Sequence, residues 1–129
     1  MRYERDGFVE AEDGTRLFCE ELGEGSPPIV LTDGIGCDGF VWRYLMPSLA
    51  RHHRVVHWHF RGHGRSGPPR NPEQLSIEDL ARDLRSVCRH LDVERPVIAN
   101  ASAADARTKL LGSFSSARRA SAAVALPPR

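Results

Sequence analysis

The sequence has almost no lysine, few cysteines and no long hydrophobic run. Lys109 is the only lysine among 129 residues, and the three cysteines, Cys19, Cys37 and Cys88, form no C-x-x-C motif. An odd number of scattered cysteines predicts free thiols in a reducing compartment rather than a disulfide framework. No segment approaches the roughly 18 apolar residues of a membrane span, and no apolar stretch follows the charged N-terminus as in a signal peptide. These absences predict a cytoplasmic protein without a membrane partner.

Charge is nearly balanced overall but differs between two parts of the chain. The totals of 18 basic and 17 acidic residues give no reason to expect a nucleic-acid partner. Residues 1–99 hold 13 arginines against 16 acidic residues, whereas residues 100–129 have a net charge of +4 and contain 14 alanines and serines. A segment of that composition buries too little apolar surface to offset its ordering entropy. We therefore predict an ordered unit over residues 7–99 and a disordered tail over residues 100–129.

The ordered part has the pattern of a hairpin followed by alternating strands and helices. Asp13-Gly14 predicts the hairpin turn, because glycine accepts the positive φ that a tight turn requires. Short apolar runs between turn residues indicate buried parallel strands, and apolar residues at helical spacing indicate helices. We expect strands at residues 7–12, 15–22, 29–32, 54–60 and 96–99, and helices at residues 40–52 and 76–91. This order predicts an α/β fold with a mostly parallel sheet.

Two glycine-rich loops match G-x-G-x-x-G, the pattern of a dinucleotide-binding turn. The loop at residues 62–67 is followed by two prolines rather than a helix, so it lacks the required context. The other loop, with Gly34, Gly36 and Gly39, follows a predicted strand and opens a predicted helix. Arg61 stands about 20 positions further on, where it would suit a 2′-phosphate. An NADP-type dinucleotide-binding module is therefore one alternative, although a long hairpin region precedes the strand.

The combination of loops resembles the α/β-hydrolase superfamily more closely, over roughly residues 7–99. The pattern consists of Asp13-Gly14-Thr15 in the hairpin, Asp33-Gly34 after the third strand, Trp42 at a helix start and Arg61-Gly62-His63-Gly64-Arg65-Ser66 after the fourth strand. The resemblance implies an incomplete α/β-hydrolase-like sheet, corresponding to the N-terminal part of the family's domain. It also implies that the backbone N–H of Ile35 belongs to an oxyanion hole. Intact relatives hydrolyse small-molecule esters, lactones or related bonds, and no cofactor is expected.

Two positions depart from the family pattern in a reciprocal way. The family usually has His-Gly where this chain has Asp33-Gly34, and Asp-x-Arg-Gly where this chain has His59 before Phe60-Arg61-Gly62. The two strand ends are neighbours in the family's strand order. We therefore hypothesise that Asp33 and His59 form a hydrogen-bonded pair of reversed polarity, which would raise the pKa of His59.

The family's nucleophile position falls on Ser102, and the second oxyanion donor falls on Ala103. The family motif is G-x-S-x-G, but this chain has Asn100 and Ala104 in place of the glycines. The family's triad runs in the order Ser, acid, His, and without a base a serine hydroxyl is a poor nucleophile. All histidines precede Ser102: His52, His53, His57, His59, His63 and His90. We therefore expect no complete triad within this chain and no catalytic activity.

The change of composition near residue 100 favours a truncated or frameshifted hydrolase, because an Ala/Arg/Ser/Pro-rich tail is typical of a GC-rich gene read out of frame. A fragment complemented by a partner chain is a further alternative. In that case the strand at residues 96–99 would be an exposed edge, which pairs with other chains or promotes self-association. The histidines between residues 52 and 63 show no metal-ligand spacing, so no metal is expected. Half a core also predicts marginal stability.

Overall fold

One five-stranded sheet organises the residues that the structure, a computed structural model, describes: residues 4–34, 42–71, 73 and 75–100. Its strands lie in the order β1-β2-β4-β3-β5. β1 is antiparallel to β2 and β2 to β4, whereas β3 runs parallel to both β4 and β5. The elements are β1 (Glu4–Glu10), β2 (Arg16–Leu22), β3 (Ile29–Thr32), α1 (Leu45–Leu49), β4 (Val55–Trp58), α2 (Ile77–His90) and β5 (Val97–Asn100). The predicted α/β fold, a hairpin followed by β-α-β-α-β, is confirmed, but the sheet is mixed rather than mostly parallel, since two of its four strand pairings are antiparallel.

The helix α2 covers one face of the sheet with a continuous apolar stripe. Its side chains Leu80, Leu84 and Val87 are fully buried, and they pack with Trp58 and Phe60 from the end of β4. This burial removes apolar surface from water at about 25 cal/mol per Å², which makes the stripe the main source of stability on this face. The helix lies within the residues where apolar periodicity predicts it.

A capping box begins α2 at Ser76. The Ser76 Oγ accepts the backbone N–H of Asp79 at 3.1 Å, and the Asp79 carboxylate accepts the backbone N–H of Ser76 at 3.1 Å. Two backbone donors that the first turn leaves without helical partners are thereby satisfied. An aspartate here performs the task that a longer glutamate usually performs.

The opposite face carries a smaller apolar cluster around Trp42 and the short helix α1. The prediction of a helix over residues 40–52 was wrong in length: α1 has five residues, and residues 40 and 41 lie outside the described part of the chain. Pro47 is tolerated because it lies in the first turn, where its missing N–H has no helical partner. The backbone N–H of His52 then bonds to the carbonyl of Leu49 at 3.2 Å, an i to i−3 bond that tightens and ends the helix.

Two cysteines are buried in the core beneath α2. Cys19 on β2 and Cys88 on α2 are 4% and 5% exposed, and both are free thiols. Burial raises the pKa of each thiol to about 12, because the thiolate would lose its hydration. Both side chains therefore behave as small apolar groups.

The strand β5 is at the end of the described sheet, where β3 is its one neighbour. Its last residue, Asn100, is paired in register with Thr32. The strand predicted over residues 96–99 is therefore shifted by one residue in the structure, and residues 101–129 of the predicted tail lie outside the described residues. Neither helix in the described ranges is long and apolar enough to cross a membrane.

Candidate functional site at the carboxyl ends of the parallel strands

The carboxyl ends of β3, β4 and β5 meet at one edge of the sheet. Asp33 follows β3, His59 follows β4 by one residue, and Asn100 ends β5. Open α/β sheets bind their ligands at this edge, because the loops that leave the strands there diverge and open a crevice. The polar groups at these strand ends are therefore the candidates for a functional site.

A hydrogen-bonded series of side chains, all buried except the partly exposed Glu20, links β2, β4, the end of β3 and the segment before α1. His57 on β4 is 2% exposed; its Nδ1 lies 3.0 Å from Glu20 Oε1 on β2, and its Nε2 lies 3.0 Å from Asp33 Oδ1. The same Asp33 oxygen accepts the Trp42 Nε1–H at 2.8 Å. Because both ring nitrogens of His57 face carboxylates, the ring donates at both positions as an imidazolium.

The two carboxylates decide the charge of His57. Burial disfavours the charged ring, but the hydrogen bonds to Asp33 and Glu20 outweigh it and raise the pKa of His57 to about 9. The hydrogen bond from His57 also lowers the pKa of Glu20. At neutral pH the ring already carries its proton, so it cannot serve as a general base.

The hypothesis of a reversed pair identified Asp33 correctly but assigned its partner to the wrong histidine. His57 and His59 lie two residues apart and share one face of β4, so sequence alone does not distinguish them. The structure gives the hydrogen bond with Asp33 to His57, whereas His59 Nδ1 accepts the backbone N–H of Arg65 at 2.9 Å. His59 thus belongs to the turn that follows its strand.

That turn contains the R-G-x-G-x-S motif, and its serine links two strands. Ser66 Oγ accepts the backbone N–H of Phe18 on β2 at 2.8 Å and donates to the carbonyl of His59 at 2.7 Å. Gly64 has a φ of +51°, and a Cβ there would clash with the His59 ring. The motif therefore fixes the turn that follows β4 against β2.

Arg61 is buried between two carboxylates and is not available to a phosphate. Its guanidinium donates to Asp83 on α2 at 2.7 and 2.8 Å and to Asp13 in the hairpin turn at 2.9 and 3.3 Å. Burial raises the pKa of Asp13, but the bonds from Arg61 and Thr15 outweigh it and lower the value to about 2. The residue that an NADP site would need for its 2′-phosphate is thus used to join the hairpin to α2.

Several residues that the sequence analysis singled out lie outside the described residues. These are Ile35 and Ala103 as oxyanion donors, Ser102 at the nucleophile position, and Gly36 and Gly39 of the first glycine loop. Asn100 is described, and both polar atoms of its amide are buried without a partner among the described residues. The part of the site that the structure does describe consists of Asp33, His57, His59 and their neighbours.

Comparisons with known proteins agree with the fold. A family model of the alpha/beta hydrolase fold matches residues 27–100. Bifunctional epoxide hydrolase 2 of Sus scrofa is 34% identical over 92 residues, which are 70% of this chain and 16% of that protein. A pimeloyl-[acyl-carrier protein] methyl ester esterase of Sodalis glossinidius is 35% identical over 74 residues, 57% of this chain and 28% of the esterase.

Solved structures show the same relationship. The Cif epoxide hydrolase from Acinetobacter nosocomialis aligns with a TM-score of 0.70 at 26% identity, over 86% of this chain and 33% of that one. The chain thus spans about a third or less of the length of these proteins.

Proposed function

This chain belongs to the family of the alpha/beta hydrolase fold, and from that membership we propose that it supplies the N-terminal part of a small-molecule hydrolase. The proteins it is similar to include epoxide hydrolases and a methyl ester esterase, so an epoxide or a carboxylic ester is the substrate class. In this proposal Ile35 and Ala103 supply backbone N–H groups to an oxyanion hole and Ser102 occupies the nucleophile position.

We further propose that the 129-residue chain alone is catalytically inactive. The observation that supports this is the distribution of histidine: the last one is His90, twelve positions before Ser102. A serine nucleophile needs a base that accepts its proton. His57, which lies at the relevant edge of the sheet, is held as an imidazolium by Glu20 and Asp33 and accepts no further proton at neutral pH.

Activity measurements test this part of the proposal. The purified chain is assayed with p-nitrophenyl acetate and with styrene oxide, beside the variant Ser102→Ala and a matched control, Ser115→Ala. We expect none of the three proteins to hydrolyse either substrate faster than buffer alone. Turnover that Ser102→Ala removes and Ser115→Ala leaves unchanged would show an active hydrolase and contradict the proposed inactivity.

The change of composition at residue 100 supports an origin by truncation or frameshift. Residues 100–129 differ from the preceding part in charge sign and in their Ala and Ser content. Sequencing of the genomic locus tests this origin. We expect a hydrolase-like continuation in another reading frame just downstream of the codon for residue 100, and its absence would count against a frameshift.

A fragment complemented by a partner chain is the second candidate, and the position of β5 favours it. Among the described residues, β5 has one neighbouring strand, so its other edge presents backbone donors and acceptors. Co-purification of a second polypeptide, or concentration-dependent self-association by light scattering, would support it, and a strictly monomeric chain would oppose it. A cytoplasmic location completes the proposal, supported by the free thiols of Cys19 and Cys88.

A further inference from the structure

We propose that Asp33, His57 and His59 form a binding site for a divalent transition-metal cation, of which Zn²⁺ is the best match. One ligand atom from each residue lies within 4.8 Å of the other two, and all three residues are buried. This site is separate from the proposed hydrolytic function and needs neither Ser102 nor a completed triad. The spacing along the sequence does not reveal it, because Asp33 follows β3 and the two histidines come from β4 and its end.

The choice of metal follows from the ligand atoms. Two imidazole nitrogens and one carboxylate oxygen suit Zn²⁺, Fe²⁺ or Co²⁺, whereas Mg²⁺ and Ca²⁺ prefer oxygen ligands throughout. Zn–N and Zn–O bonds of about 2.0–2.2 Å place the ligand atoms of a tetrahedral site about 3.3 Å apart. Asp33 Oδ1 and His57 Nε2 already meet this spacing, since they lie 3.0 Å apart.

His57 is oriented as metal-binding histidines are. Its Nδ1 contacts the Glu20 carboxylate at 3.0 Å, and such a carboxylate behind the ring fixes the ring orientation and strengthens the other nitrogen as a ligand. The cation replaces the proton that the Nε2 atom now shares with Asp33. Glu20 is 40% exposed at its side chain, so this outer carboxylate remains in contact with solvent and can be replaced without opening the core.

Asp33 supplies the second argument for a cation. It is 1% exposed, and its Oδ2 has no hydrogen-bond partner among the described residues. A buried carboxylate oxygen without a partner has lost its hydration and gained nothing in exchange, which destabilises the folded chain. A metal ion that is bound beside His57 through both carboxylate oxygens of Asp33 would satisfy Oδ2, and Oδ1 would keep the Trp42 Nε1–H that it accepts at 2.8 Å.

His59 is the ligand that must move most. Its Nδ1 accepts the backbone N–H of Arg65 at 2.9 Å, which leaves the proton of a neutral ring on Nε2. The ring binds a cation only after it has exchanged that hydrogen bond for the metal. We therefore expect Asp33 and His57 to contribute more to affinity than His59, with water in the remaining coordination positions.

The test uses the full 129-residue chain freed of metal with a chelator. Co²⁺ alone is titrated and its visible absorption recorded, and Zn²⁺ alone is then added as a competitor. We expect one Co²⁺ per chain, with bands typical of four or five ligands, displaced by one equivalent of Zn²⁺. Paramagnetic shifts in the histidine NMR signals identify the ligands without any substitution, and His57 and His59 should shift whereas His90 should not.

Substitutions give the second readout. Asp33→Asn keeps the shape of the side chain and should abolish specific binding, and Glu20→Gln should weaken it about 10- to 100-fold by removing the carboxylate behind His57. His59→Gln should have a smaller effect than Asp33→Asn. The matched controls are His90→Gln and the double variant His52→Gln/His53→Gln, which should bind as the original chain does. Circular dichroism checks that each variant is folded.

Three results would overturn the site. The first is Co²⁺ binding by the Asp33→Asn variant that is as tight as binding by the original chain. The second is loss of binding in the control variants, which would assign the metal to exposed histidines. The third is a paramagnetic shift of His52, His53 or His90 without one of His57, a result that stands even if Asp33→Asn fails to fold.

Discussion

The two faces of the sheet are both buried, but they are stabilised in different ways. The face beneath α2 is apolar along the whole helix, and the ion pairs of Arg61 lie at its margin. The face around Trp42 has a smaller apolar cluster and surrounds the charged groups Glu20, His57 and Asp33. The first face is built from a periodic pattern within single elements. The second requires three strands to be in the correct register before its charges are compensated.

The largest loss of stability is expected at Arg61, whose ion pairs connect α2 with the hairpin turn. Arg61→Met should cost about 3–5 kcal/mol, because Asp83 would remain buried without its partner. Urea unfolding followed by Trp fluorescence measures the change. The double variant Arg61→Met/Asp83→Leu is the control, and it should recover most of the loss. A double variant as unstable as the single one would show that packing, rather than the uncompensated carboxylate, sets the cost.

Removal of apolar volume beneath α2 should come next. Leu84 is fully buried, and Leu84→Ala should destabilise the chain by about 2–5 kcal/mol through lost transfer energy and a residual cavity. Leu75→Ala is the matched control, because Leu75 is 39% exposed, and it should change the free energy of unfolding by less than about 0.5 kcal/mol. Equal losses of stability at the two leucines would contradict the burial of Leu84 between α2 and the sheet.

A pH titration separates the second face from the first. The pKa of His57 is raised from 6.5 to about 9 in the folded chain, so its stabilising contribution is fully present below pH 6.5 and disappears as pH rises through 9. The loss should be about 3 kcal/mol at 1.36 kcal/mol per pKa unit. Urea unfolding between pH 6 and 9 in the presence of a chelator measures it. Glu20→Gln should shrink this slope, and an unchanged slope would contradict the assignment to His57.

The smallest effect concerns the start of α2. Ser76→Ala removes the side chain that accepts the Asp79 N–H, and it should cost about 1 kcal/mol. Ser48→Ala in α1 is a suitable comparison, because its hydroxyl takes no part in a capping box. Thermal unfolding of both variants measures the difference, which should disappear if α2 begins elsewhere in solution.

The sequence predicted the elements whose pattern is local. The stripe from Leu80 to Val87 and the short apolar run of β3 were sufficient, because period and turn residues are set within single elements. The length of α1 could not be predicted, because the tightened turn at His52 ends the helix against the propensity of its neighbours. The sequence also did not predict which histidine, His57 or His59, forms the hydrogen bond with Asp33. That choice depends on the β2–β4 register that places Glu20 opposite His57, and register is a long-range property.

The rate at which a reagent labels the buried thiols of Cys19 and Cys88 measures how often the folded chain opens. With both pKa values near 12 and both side chains in the core, a disulfide reagent reaches them only when β2 and α2 separate. In a Cys37→Ser background, the rate of thiol labelling would therefore report the population of opened molecules under native conditions. Labelling would then give the free energy of separating α2 from the sheet without any denaturant.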